Sequence, residues 1–188
     1  PTCFCTDTAP TELYTISLHA ALPIWRIVTL ATMAISIPLY TGFATDTARY
    51  QFAEQYSWFP ALNLDYVVGV DGISVLLVIL TTFIMPLCIL CSWQQIRYRL
   101  KEFVFVLLLM EAAMIGVFIS LNTVLFYIFW EGMLVPMYLL IAVWGGPRRD
   151  YASIKFFLYT FTGSIFLLVA IIALYISTGT FFIPALMD

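Results

Sequence analysis

The sequence predicts an all-α, polytopic transmembrane helix bundle, and three observations predict it. Of 188 residues, 63% are hydrophobic, 17% aromatic and 10% charged, whereas a soluble domain carries about 25% charged residues. Apolar runs at approximately 25–43, 72–93, 103–121, 123–144 and 152–177 approach or exceed the ~20 residues that a helix needs to cross hydrocarbon. Those runs lack strict apolar–polar alternation, which excludes a membrane β-barrel. Helices are then the remaining way to pair every backbone group in lipid.

Residues 1–24 precede the first run. They are polar, carry Cys3, Cys5 and His19, and lack the charged-then-apolar order of a signal peptide. The stretch TISLHAALPI, 15–24, resembles the translation of a common sequencing adapter, TLSLHDALPI, from which Ile16 and Ala20 each differ by a single nucleotide. Residues 1–24 are therefore read as an adapter-like artefact, with a disordered tail as the alternative. They are set apart from a partial transmembrane domain at 25–188.

The first span, 25–43, leads into an acidic connection, 44–71, with Asp46, Glu54, Asp65 and Asp71. Alternation in LNLDYVVGVDG predicts a short strand or hairpin there. In the second span Cys88 and Cys91 share one helical face. No nearby His or Cys completes a metal site, so both are read as packing residues. The LNT at 121–123 leaves room for a tight turn, which makes the third and fourth spans antiparallel neighbours. Short basic loops lie at 94–102 and 145–151.

Cations collect in short cytoplasmic loops. Placing both basic loops inside puts Arg97, Arg99, Lys101, Arg148 and Arg149 in the cytoplasm. Arg26 and Lys155 fall on that side too, and Arg49 is left outside with the acidic connection, which is then extracytoplasmic. The chain stops just after a span and reads as incomplete. No basic patch suggests nucleic acid. No GxSxG, metal-binding helix or carboxylate pair suggests hydrolysis.

Two carboxylates lie inside spans: Glu111 in LLLMEAAMIGVF and Glu131 in FYIFWEGMLVPMY. Each costs roughly 2.5–3.5 kcal/mol at mid-membrane on insertion scales. That cost favours a neutral carboxyl, or a paired or hydrated position facing protein, commonly in a proton or ion relay. Helical spacing puts Thr123, Tyr127, Glu131 and Tyr138 on one face of the fourth span. The same spacing predicts a second polar stripe on the fifth span, Tyr151, Lys155, Tyr159 and Thr162, with both stripes lining a protein interior. Glu111 has apolar neighbours on its own helix. Pro136 removes the hydrogen bond to the Gly132 carbonyl, which either loosens the turn beside Glu131 or shapes packing. The alternative role for both glutamates is interhelical glue, and for Lys155 it is snorkelling to the interface.

The blocks GVDGISVLLVILTTFIMPLCILCSW, FYIFWEGMLVPMYLLIAVWGG and IKFFLYTFTGSIFLLVAIIALY closely resemble the family of subunit M of bacterial NADH:quinone oxidoreductase, respiratory complex I, and its mitochondrial counterpart, subunit 4. The resemblance covers roughly 25–183. Mrp-type antiporter subunits share the wider pattern less closely. The resemblance implies a fold of about fourteen transmembrane helices built on inverted repeats, of which the five spans here would be helices two to six. It implies proton translocation driven by NADH oxidation and quinone reduction elsewhere in the complex. Glu131 matches the family's essential glutamate, whose lysine partner lies on the seventh helix, beyond Asp188. Lys155 matches the usual bacterial residue but is not that partner, Glu111 matches one common in bacterial members and not universal, and both are the further candidate site residues. Making and breaking the glutamate–lysine pair changes the proton affinity of both partners and passes protons along a hydrated path.

The resemblance also implies that NADH, flavin, iron–sulfur clusters and quinone bind other subunits, with no cofactor or metal in this chain. The implied partners are the other membrane subunits of the complex, the lipid bilayer and protons. The implied location is the bacterial cytoplasmic (inner) membrane.

Overall fold

The computed structural model describes residues 27–43, 50–59, 64–96 and 98–187. The adapter-like residues 1–24 lie outside the described residues, as do Arg26, Arg49 and Arg97 of the charge argument.

Helices occupy the apolar runs. They are α1 (Ile27–Thr41), α2 (Gly72–Gln95), α3 (Leu100–Ile119), α4 (Thr123–Trp144) and α5 (Arg149–Thr178), with a short α6 (Ile183–Met187) after them. By length and apolarity α2, α3, α4 and α5 can each cross a membrane, and the described part of α1 is a shorter apolar helix. From α2 to α5 each helix packs on the next in chain order. Two helices begin earlier than their apolar runs, at Leu100 and Arg149. Charged residues can ride on a first helical turn that lies outside the hydrocarbon.

Local chemistry sets the helix ends. In the VDGIS stretch Asp71 caps α2, accepting from the Ser74 amide at 2.7 Å, an oxygen-to-N3 cap of the usual kind. Asn122 caps α4, accepting from the Val124 amide at 2.9 Å. Gly179, at φ 75°, ends α5 in the left-handed conformation, where a side chain is unfavourable. Before α3, Arg99 pairs with Glu102 at 2.8 Å. The hydrogen bond and charge of Glu102 hold the exposed Arg99 guanidinium above its ordinary pKa. Pro86 and Pro136 lie inside α2 and α4, and both helices continue through them.

The predicted hairpin exists. Strands β1 (Gln51–Phe59) and β2 (Leu64–Val70) pair antiparallel. An irregularity between Gln51 and Glu54 contains Phe52, at φ 53°. The hairpin ties the loops at this end of the bundle together. Beyond β2, Val68 bridges Ser120, and Asn122 in turn bridges Phe182. The Leu121 amide donates to the Val67 carbonyl at 3.0 Å, and the Ile183 amide donates to the Leu121 carbonyl at 2.9 Å. The α3–α4 turn is thus threaded between β2 and the segment that follows α5. Close approach is needed there, since a Cβ on Gly69 would lie 2.7 Å from Cδ1 of Leu121.

At the opposite end, Met85 and Ile89 of α2 pack with Leu100, Phe103, Val104 and Leu107 of α3, and Leu140 and Trp144 of α4 close over them. The Trp144 ring meets Phe103 edge-on at 5.2 Å. Its indole N–H donates to the Tyr98 carbonyl at 2.9 Å. The bundle is therefore clamped at both ends, by backbone pairing at one and by an aromatic core at the other.

Candidate functional site

Glu131 lies near the middle of α4, one turn after Tyr127. Its Oε1 is buried and has no hydrogen-bond partner among the described residues. Tyr127, one turn earlier, shares this face of α4, which is turned toward α5. The rest of the α4 polar face points the same way. The Thr123 hydroxyl donates to the Phe181 carbonyl at 3.2 Å, and Tyr138 meets Phe157 of α5 edge-on at 5.8 Å.

The expected polar stripe on α5 does not face this site. Tyr151 and Tyr159 are 66% and 72% exposed, and Lys155 is exposed with them. The face that α5 turns inward carries Ser153, Phe157, Thr160, Ser164 and Ile171, of which Ser153, Ser164 and Ile171 are buried. Helix geometry explains the correction. At about 100° per residue, Lys155 and Ser164, nine positions apart, point to opposite sides of α5. The signal that marks the inward face is small hydroxyl residues in register with an aromatic, the usual makeup of a membrane helix seam.

Lys155 sits instead in an aromatic frame. Its Nζ lies 5.6 Å from the Tyr151 ring centroid and 5.9 Å from that of Tyr159, within cation–π range. These residues and Arg148 line a groove of about 450 Å³. No ion pair joins Lys155 to Glu131; the ion pair among the described residues is Arg99–Glu102.

Glu111 is 2% exposed and accepts from the Thr32 hydroxyl of α1 at 3.2 Å. It therefore has polar company, contrary to the reading of its own helix, and that company comes from 79 positions earlier. Farther along α1 the hydroxyls of Ser36 and Thr82 of α2 meet at 2.9 Å. Pro86 leaves the Thr82 carbonyl without its helical donor. The structure thus separates the three candidates: Glu131 between α4 and α5, Glu111 between α1 and α3, and Lys155 on the outer face of α5.

Between α4 and α5 lies a cavity of about 330 Å³, lined by Trp130, Leu134, Met137, Thr160, Ser164 and others. Ser164 is thus buried between the helices and part of the cavity wall. On the other side of α4, Gly116 of α3 lies directly against the Phe129 ring. Cys88 and Cys91 are free thiols. The described residues contain no group of three or more His, Cys, Asp and Glu that could hold a metal.

Two families match the chain. The family described as NADH-ubiquinone oxidoreductase chain 4, amino terminus, matches residues 13–128. The family described as NADH:quinone oxidoreductase/Mrp antiporter, TM, matches residues 120–188. NADH-quinone oxidoreductase subunit M of Rhodobacter capsulatus is 48% identical over 85% of this chain and 31% of its own length. NADH-ubiquinone oxidoreductase chain 4 of Arabidopsis thaliana is 44% identical over 80% of this chain and 31% of its own length. The chain thus spans about a third of the length of the curated relatives it matches. Among solved structures, a chain of respiratory complex I from Thermus thermophilus superposes with a TM-score of 0.75 at 24% identity, covering 86% of this chain and 33% of that one. A chain of the Mrp complex from a Dietzia species does so with 0.70 at 17% identity, covering 84% and 17%. At those identities the two structures show a shared fold.

Proposed function

The chain belongs to the NADH-ubiquinone oxidoreductase chain 4 family, and from that premise we propose that it is part of an antiporter-like, proton-translocating membrane-arm subunit of an NADH:quinone oxidoreductase. NADH oxidation and quinone reduction take place on other subunits, and this chain contributes to the proton path they drive. It is a multi-pass protein of the bacterial cytoplasmic membrane, with its basic loops inside and its hairpin outside. Its partners are the other membrane subunits of the complex. It contributes to the enzyme as a translocating subunit and carries no redox centre or cofactor of its own.

The observation that carries this reading is Glu131: a carboxylate near the middle of a spanning helix, with one oxygen buried and without a partner among the described residues. A buried unmet acceptor costs about 1–3 kcal/mol. It fits a carboxyl that takes and gives up a proton, or pairs with a cation, during a cycle. The implied lysine partner on the seventh helix suits that open oxygen. Glu111, held by Thr32, takes the part of a fixed tie between helices, and Lys155 that of an interfacial cation.

Replacing Glu131 with Gln in the full-length protein tests the role, because the amide keeps hydrogen bonding and loses titration. The expected result is an assembled complex that has lost NADH-driven proton pumping. The position of Glu131 on the α4 face turned toward α5 also suits a second reading, Glu131 as interhelical glue. Normal pumping in the Gln variant would establish that reading instead. The Mrp-type sodium/proton antiporter reading rests on fold likeness at 17% identity, against 44–48% to the subunit M and chain 4 relatives.

A further inference from the structure

We propose that the outer flank of α5 and its seam with α4 form a two-part binding site for an anionic phospholipid of the surrounding bilayer. The groove beside Lys155 takes the phosphate, and the α4–α5 cavity takes an acyl chain. The site stands whether or not Glu131 titrates.

The two spaces are continuous. The groove is lined by Arg148, Tyr151, Lys155 and Tyr159 together with Phe156 and Thr160, and these last two also line the cavity. At about 100° per residue, Phe156 and Thr160 project between the directions of Lys155 and Ser164, so they form the ridge that both spaces share. The groove lies at the end of α5 next to the basic loop 145–151, and the cavity runs from there toward the middle of the helix. On α4 the cavity wall follows the same course, from Met137 to Trp130.

The groove has the chemistry of a headgroup site. Its wall holds two cations and no carboxylate, and among the described residues neither cation has an ion-pair partner. Both are exposed. A guanidinium and an ammonium on one wall suit a phosphate, and tyrosines such as Tyr151 and Tyr159 favour headgroup level. Basic pockets of this kind on the side of the basic loops hold anionic headgroups. Charge complementarity therefore selects an anionic lipid over a zwitterionic one.

The cavity has the chemistry of a chain slot. Trp130, Met133, Leu134, Met137 and Leu167 line it. Its two hydroxyls turn back to their own helix: Thr160 donates to the Phe156 carbonyl at 2.7 Å, and Ser164 to the Phe161 carbonyl at 2.9 Å. A guest meets carbon there, and an apolar cavity takes apolar matter in preference to water. Gly163 keeps the slot open, since a Cβ on it would meet nothing within 4 Å. Its volume of about 330 Å³ lies within the range of about 300–1,000 Å³ that small ligands fill. From Phe156 to Leu167 the helix rises roughly 16 Å, and one leaflet of a ~30 Å hydrocarbon core is about 15 Å deep. One acyl chain matches that length.

The test uses the assembled complex containing the full-length protein, reconstituted in phosphatidylcholine vesicles. A small fraction of the lipid is phosphatidylglycerol with a photoreactive diazirine in one acyl chain, and peptide mass spectrometry locates the adducts after illumination. Adducts are expected on the Trp130–Met137 and Phe156–Leu167 segments. Unlabelled phosphatidylglycerol should displace them, and further phosphatidylcholine should not. Each cation near a headgroup adds about fivefold in affinity. The double variant Arg148→Gln, Lys155→Gln should therefore need roughly 30-fold more probe for half-maximal labelling. Gly163→Leu fills the slot and should remove the adducts on Met133 and Met137.

A parental complex without adducts on those segments would mean that protein covers the flank, and would overturn the proposal. Equal displacement by phosphatidylcholine would overturn it too, as would an unchanged half-maximal point in the double variant. Displacement by inorganic phosphate at the concentration at which phosphatidylglycerol displaces would reduce the site to an anion groove and overturn the part given to the chain. If Gly163→Leu does not assemble, the double variant, altered at two exposed positions, decides alone.

Discussion

Gly116→Ala probes the seam that sets α3 against the helix bearing Glu131. A Cβ at Gly116 would lie 2.6 Å from Cγ and Cε1 of Phe129. Cδ1 of the same ring would lie closer still, and ordinary contact begins near 3.4 Å, so the ring would have to retreat by about 1 Å within close-packed surroundings. Overpacking of this kind costs about 1–3 kcal/mol. Alanine is the better helix former by about 0.8–1 kcal/mol, which leaves a net destabilisation of about 1 kcal/mol. In a Phe129→Ala background the ring is gone, and the same substitution should stabilise by up to about 1 kcal/mol. The effect therefore changes sign, with a coupling of about 1–3 kcal/mol. Unfolding of the full-length protein in mixed micelles, titrated with dodecyl sulfate across all members of the cycle, measures it. An identical effect of Gly116→Ala in both backgrounds would refute the packing argument.

Thr32→Val is nearly isosteric and removes the donor that Glu111 uses. It should destabilise by about 1–2 kcal/mol in the same unfolding assay, between the average interhelical bond in membranes and the cost of an unmet buried acceptor. Adding Glu111→Met should recover most of that loss, because the buried acceptor is then gone. Lys155→Gln should leave NADH-driven pumping within about twofold of the parent, since helix geometry turns Lys155 away from Ser164. A complete loss would contradict its assignment to the interface.

Much of the architecture is legible in the order of the residues. Apolar run length predicts α2 to α5 because lipid supplies no partners for backbone groups. The LNT turn predicts the antiparallel α3–α4 pair, and Asn122 supplies the cap that completes it. The site is only half legible. The α4 face with Tyr127 and Glu131 follows from a four-residue period within one helix. On α5 the same period favours the more conspicuous polar residues, Tyr151, Lys155 and Tyr159, as the partner face. Exposed aromatics and a lysine on one face of α5 mimic a lining stripe, whereas Ser153 and Ser164 are small enough to let two helices approach and draw less notice. The hairpin's tie to the α3–α4 turn is not legible either, because backbone pairing between distant segments leaves no side-chain pattern.

The sequence by itself determined the solvent of this protein, its helices and the presence of two carboxylates in that solvent. These depend on composition and local period, which a chain carries whatever its neighbours. Tertiary structure decided which polar groups meet across helices: Thr32 with Glu111 across 79 positions, and Ser36 with Thr82. The physical reason is that a membrane helix presents its whole circumference to apolar surroundings. Hydrophobicity hardly distinguishes one face from another there, and rotation about the helix axis is set by close packing and a few polar contacts.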